Sequence, residues 1–142
     1  MMVEISLKKD PLRPTWQAQD EAQDLLQTAG RRRIFMRSHV WRPPTDVYET
    51  EIVIVVRVEI AGMKEEDFTV SLSERFLVIR GLRPDMSERR AFHQMEIFFG
   101  EFMSEVELPC PVVAESAEAE YSMGFLKIVL PKQNPRRIYI TE

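Results

Sequence analysis

Apolar and polar residues alternate with a period of two through most of the middle of this chain. Ile52, Ile54, Val56, Val58 and Ile60 alternate with Val53, Val55, Arg57 and Glu59. Successive side chains of a strand point to opposite faces, so this run predicts a β-strand with one buried face. Ala61-Gly62 ends it. Phe68, Val70 and Leu72 alternate with Thr69 and Ser71, and Phe76–Ile79 follows a Ser-Glu-Arg turn. Phe102, Val106 and Leu108 alternate with Glu105 and Glu107 as far as Pro109. Ala117, Ala119 and Tyr121 alternate with Glu118 and Glu120, and Phe125–Leu130 stops at Pro131. With Asp46–Thr50 these make seven short strands, and no long helical pattern separates them. The spacing predicts an all-β, antiparallel sandwich or barrel and argues against a parallel α/β sheet.

Two stretches leave that rhythm. Between Arg80 and Phe102 lie 21 residues, too many for a structureless connection inside a compact sandwich. Gly81–Arg90 is polar and turn-like, whereas Ala91–Phe99 has strand character. A strand on such an arm either folds back on its own sheet or reaches another subunit. The second route would bury Phe92, Met95, Ile97 and part of Phe98-Phe99 across a dimer interface. Ahead of the β region, Thr15 and Gly30 bracket a segment whose apolar positions are Trp16, Ala22, Leu25, Leu26 and Ala29. That spacing predicts a weakly amphipathic helix needing a partner surface, followed by the apolar cluster Ile34-Phe35-Met36. The chain thus divides into an N-terminal arm (1–41), a β domain (42–132) and a short tail (133–142).

Composition narrows the function. At 142 residues the chain holds one core plus extensions. Its net charge of −4 gives no reason to expect a polyanion partner. Arg31-Arg32-Arg33, with Arg37 and His39, therefore reads as a solvated basic linker and not as a nucleic-acid site. No stretch approaches the roughly 20 apolar residues that cross a bilayer, so no membrane partner is expected. The opening residues lack the apolar run of a secretory signal, and the single cysteine, Cys110, fits a reducing compartment. Together these point to the cytoplasm. Cys110 sits between Pro109 and Pro111, which suits a structural thiol. His39 and His93 have no metal-ligand spacing, and no catalytic motif is present. The chain is expected to be no enzyme, with no cofactor and no metal.

An ordered set of motifs adds to this. It runs through Trp41-Arg-Pro-Pro-Thr-Asp-Val-Tyr-Glu-Thr50, Val58-Glu-Ile-Ala-Gly-Met-Lys-Glu-Glu-Asp67 and Leu77-Val-Ile-Arg-Gly81. It continues with His93-Gln-Met-Glu96, Phe99-Gly-Glu-Phe-Met103, Val106-Glu-Leu-Pro109 and Gly124-Phe-Leu-Lys-Ile-Val-Leu-Pro-Lys132. From Trp41 onward the chain resembles the small heat-shock protein (α-crystallin) family over about 100 residues. The resemblance implies an immunoglobulin-like β-sandwich, the α-crystallin domain. It implies that the arm Gly81–Phe99 carries a strand exchanged between subunits, involving Trp41, Val47, Phe92, His93, Met95 and Ile97. It also implies a homo-oligomer built from dimers, acting without ATP to hold unfolded or misfolded client proteins. A p23/CS-like co-chaperone or interaction module, which typically lacks the exchange arm, is the alternative. Three departures stand out: Ser104-Glu105-Val106-Glu107 and Ile97 occupy places where members often carry arginine, and Ala61-Gly62 replaces Pro-Gly.

The tail Ile138-Tyr139-Ile140 looks like the family's Ile-X-Ile anchor. In an extended tail, residues two apart point the same way, so Ile138 and Ile140 are expected to enter adjacent pockets on a neighbouring subunit. The receiving groove is expected between the Phe68–Leu72 and Ala117–Tyr121 strands, where Ala117 and Ala119 leave room beside Val70 and Leu72. Val70, Leu72 and Ala119 are equally compatible with filled core, and Phe68 fits filled core better. Trp16, Leu25, Leu26, Ile34, Phe35 and Met36 are candidates for client binding, or for packing within the oligomer.

Overall fold

The computed structural model describes residues 2–7 and 40–135. Eight strands run in chain order: β1 (Met2–Ile5), β2 (Thr45–Glu49), β3 (Val53–Glu59), β4 (Phe68–Ser73), β5 (Phe76–Arg83), β6 (Gly100–Glu107), β7 (Glu118–Ser122) and β8 (Phe125–Pro131). They form two four-stranded sheets, ordered β1-β4-β5-β6 and β2-β3-β8-β7. Every ladder between these strands is antiparallel. The expected all-β sandwich is present, and each of the seven strands read from the alternation has its counterpart. The helix expected over 16–29 lies outside the described residues.

The alternation sets which side chains meet between the sheets. Ile54, Val56 and Val58 of β3 and Leu126, Ile128 and Leu130 of β8 are fully buried on one side. Val70 and Leu72 of β4, Leu77 and Ile79 of β5, and Phe102 and Val106 of β6 face them from the other. Burying each such side chain contributes about 1.5–3 kcal/mol before the entropy of ordering is set against it. Ile52 breaks the expected pattern. It falls in the bend ahead of β3 and is 62% exposed, because the chain turns from β2 to β3 at that point and the inward face begins only at Ile54.

Backbone freedom matters at two glycines. Gly62 takes φ +80°, which lets the chain turn out of β3 as Ala61-Gly62 was expected to. Gly81 has an ordinary φ but no room: a Cβ there would lie 2.5 Å from Phe102 Cζ and 2.7 Å from the Asp67 carbonyl oxygen. Gly81 pairs with Phe68 on one side and Phe102 on the other, so its bare backbone is the floor on which the Phe102 ring lies.

Polar groups tie the layers. Thr45 Oγ1 and the fully buried Ser104 Oγ share a hydrogen bond of 2.8 Å between β2 and β6, linking the two sheets. An arginine at 104 would have to fit its guanidinium into that dry space, which accounts for the small hydroxyl there. The Lys132 ammonium is buried and lies 2.6 Å from Glu49 Oε2. Tyr121 donates its phenolic hydrogen to the Ile60 carbonyl at 2.8 Å, holding β7 against the end of β3.

Candidate assembly surfaces

The two sheets end differently. In the second sheet β2 is outermost, paired only with β3 among the described residues. Its Val47 and Tyr48 are 43% and 44% exposed, so this edge presents apolar side chains beside unpaired backbone groups. Such an edge accepts another strand readily.

The other exposed apolar stretch is the arm. Its start differs from expectation: β5 continues through Arg83, with Leu82 and Arg83 paired to Glu101 and Gly100. Gly81–Arg83 therefore belongs to the sandwich, and the arm proper is residues 84–99. The strand character of Ala91–Phe99 is not realised within one chain, where residues 84–99 form no ladder. Phe92, Met95, Ile97 and Phe98 are each more than half exposed, and His93 is exposed beside them.

The arm is fixed at its root. Trp41 donates its backbone N–H to the Glu101 carbonyl at 3.1 Å and accepts from Met103 N–H at 3.0 Å, so it lies along β6. Its ring stacks on Phe98 at 5.7 Å and tilts against Phe102. The Arg83 guanidinium sits 4.5 Å above the same ring and donates Nε–H to the Phe98 carbonyl at 2.8 Å. Partial burial lowers the Arg83 pKa from its ordinary value, an effect that Tyr121 opposes. Of the positions assigned to strand exchange, the structure thus brings Trp41 to the root of the arm and Val47 to the open edge. Phe92, His93, Met95 and Ile97 extend beyond the root without packing into the core.

The positions assigned to a groove between β4 and β7 belong to the core or pack against it. Val70, Leu72 and Ala119 are almost wholly buried and Ala117 is half-buried. Beside β4, in the same sheet, runs β1, with Val3 opposite Leu72 and Ile5 opposite Val70. Leu7 then forms a parallel bridge to Ala119 of β7. Ile5 is itself buried in the core, and Leu7 packs against it. The period-two run Val3-Glu4-Ile5-Ser6-Leu7 carries the same signal as the other strands, but the sequence reading grouped it with the arm. Ile138, Ile140, Trp16, Leu25, Leu26, Ile34, Phe35 and Met36 lie outside the described residues.

No other chemistry gathers. Among the described residues no group of three or more His, Cys, Asp or Glu side chains could hold a metal, and no helix is long and apolar enough to cross a membrane.

Comparison with known proteins places this geometry. The family model described as Hsp20/alpha crystallin family matches residues 46–141, which takes in seven of the eight strands. The chain belongs to that family. Small heat shock protein C2 of Rickettsia felis is 28% identical over 93 residues, covering 64% of this chain and 60% of that protein. Heat shock protein 16 of Schizosaccharomyces pombe is 33% identical over 94 residues, 63% of this chain and 66% of that one. The matches span about three fifths or less of the Rickettsia relative and of a chloroplastic small heat shock protein from Solanum lycopersicum. Among solved structures, heat shock protein 16.0 of Schizosaccharomyces pombe superposes with a TM-score of 0.64 at 28% identity, covering 71% of this chain and 96% of that one. A small heat-shock protein from Xylella fastidiosa, described as having a distinct high order structure, gives 0.60 at 28% identity, with 73% and 100% covered. The family membership accounts for the sandwich.

Proposed function

We propose that this chain is an ATP-independent holdase that binds partly unfolded proteins and prevents their aggregation in the cytoplasm. The observation that carries the reading is the apolar surface left uncovered in one chain: the β2 edge with Val47 and Tyr48, and the arm with Phe92, Met95, Ile97 and Phe98. Membership of the Hsp20/alpha crystallin family supports it. Exposed apolar patches of this extent mark interaction surfaces.

In this reading the arm of one subunit adds a strand to the β2 edge of another, and the resulting dimers are the units of a homo-oligomer. Ile138 and Ile140 link dimers by entering the β4–β7 groove of a neighbour. Each link is weak, and many links in one particle give avidity, so the assembly opens reversibly. Clients expose hydrophobic patches and unpaired strand edges. The apolar positions Trp16, Leu25, Leu26, Ile34, Phe35 and Met36 meet those surfaces when the assembly loosens.

The test is heat-induced aggregation of a model client, followed by light scattering without ATP. Suppression at near-stoichiometric chain is expected. A chain that stays monomeric at every concentration and leaves aggregation unchanged would support a p23/CS-like module and end the holdase reading.

A further inference from the structure

Three separate segments meet on one side chain at the end of β5. The Arg83 guanidinium lies 4.5 Å from the Trp41 ring centroid and 5.3 Å from that of Phe99. Its Nε and Nη2 both donate to the Phe98 carbonyl, and Nη1 donates to the Ala61 carbonyl at 3.4 Å. The arm leaves the sandwich directly after Arg83 and returns to it at Gly100, the residue paired with Arg83. Both ends of residues 84–99 are therefore gathered at this cation. We propose that Arg83 is a positioning residue for the arm: its guanidinium clasps the returning segment to Trp41 and fixes the direction in which Phe92, Met95 and Ile97 are presented to another copy of the chain. The inference rests on the reading of the arm as the intersubunit strand and adds the residue that aims it.

Three observations carry it. First, the contacts fall on the arm and on the connections beside it. Trp41, Ala61, Phe98 and Phe99 supply the rings and carbonyls that Arg83 meets, and none of the four lies in β1–β8. The side chain thus acts on how the arm is held, while the ladders of both sheets form without it. Second, the geometry suits an arginine. A planar guanidinium aims two N–H groups at one carbonyl while it stacks on an aromatic ring, and a lysine ammonium does not. Third, the clasp leaves the arm's own surface free. Trp41 and Phe98 stack with 20° between their planes, yet Phe98 is 62% exposed and Met95 and Ile97 are 64% exposed. One face of Phe98 is held, and the residues ahead of it stay open to a partner.

An arm released from its root samples many exit directions, and a β2 edge accepts few of them. The apparent dissociation constant of the dimer rises as the fraction of chains with a correctly aimed arm falls. Holding Phe98 and Phe99 before any partner arrives removes part of the ordering cost from the association step.

The experiment measures the monomer–dimer dissociation constant by sedimentation equilibrium. It uses the full chain carrying Ile138→Ala and Ile140→Ala, so that larger particles do not intrude. Arg83→Met, which keeps the apolar stem and removes the cation, is expected to weaken the dimer at least about tenfold. That corresponds to correct aim in about a tenth of chains or fewer. Its urea midpoint, taken at concentrations where all forms are monomeric, is expected to stay unchanged. Arg83→Lys restores a charge beside Trp41 and is expected to recover part of the lost affinity. Equal affinity of Arg83→Met and the parent would overturn the clasp and leave strand exchange intact. A urea midpoint that falls in step with affinity would make Arg83 an ordinary structural residue and overturn its positioning role. No recovery with lysine would overturn the part assigned to the cation. A parent chain that stays monomeric at every concentration would overturn strand exchange and the clasp together.

Discussion

The strands β4 and β2 belong to one sandwich but meet their surroundings in opposite ways. β4 is paired on its far side with β1, whose Ile5 is buried, and Leu7 just beyond β1 bridges to β7. Among the described residues β2 has a strand on one side only, with Val47 and Tyr48 about two-fifths exposed. An uncapped edge is a hazard in a monomer and an asset in a subunit that pairs with a copy of itself. The contrast separates two kinds of edge. One edge is open among the described residues, and the other is paired within the chain.

The largest effect should come from striking what both edges share. Phe102, 2% exposed, touches Trp41 and Phe68 and lies on Gly81. Phe102→Ala is expected to cost about 3–5 kcal/mol, read as a lowered denaturation midpoint in urea with both edges lost together. A loss under about 1 kcal/mol would mean that the edges do not depend on one core.

The next test separates a central strand from the cap. Ile79→Ala on β5 removes a fully buried side chain and should cost about 2–5 kcal/mol. Ile5→Ala removes a side chain of similar burial, yet its cost should stay below about 2 kcal/mol, because β1 can undock while the rest stays folded. Equal losses in denaturant titrations would make β1 an ordinary member of the sheet and erase the contrast.

Glu49 tests how the open edge is held. Glu49→Gln leaves the Lys132 ammonium buried without its charged partner. Glu49 itself is partly exposed, which screens the pair, so a loss of about 1–3 kcal/mol is expected, below that for a fully buried pair. No change in midpoint would show that water replaces the carboxylate freely.

The smallest change in stability should have the clearest effect on assembly. Val47→Lys puts a charge on the exposed face of β2 and should move folding stability by less than about 0.5 kcal/mol. Sedimentation equilibrium should nonetheless find dimers weakened at least tenfold. An unaltered dimer would place strand addition elsewhere.

Much of this was legible in the sequence. Period-two runs such as Val70/Leu72 and Leu126/Ile128/Leu130 located the strands because burying one face leaves that periodicity no alternative. Val70, Leu72 and Ala119 were left open between groove and filled core, and they are buried in the core. The strand β1 beside them was missed, although Val3, Ile5 and Leu7 carry the same alternation. A five-residue run has no turn signals to mark it as part of the sheet, and its partner strand lies more than 60 residues away. Leu82 and Arg83 were assigned to the arm because their pairing to Glu101 and Gly100 is non-local. Ser104 went unread as a bridge between sheets because its partner, Thr45, is 59 residues distant.

Trp41 has a practical consequence. Its indole is stacked on Phe98 and lies under the Arg83 cation, and its Nε1 is buried without a hydrogen-bond partner among the described residues. An indole so placed emits according to what lies against it, and Trp16 is the only other tryptophan. With Trp16→Phe, the colour and intensity of the remaining emission become an optical gauge of where the root of the arm lies, readable in dilute solution without any attached dye.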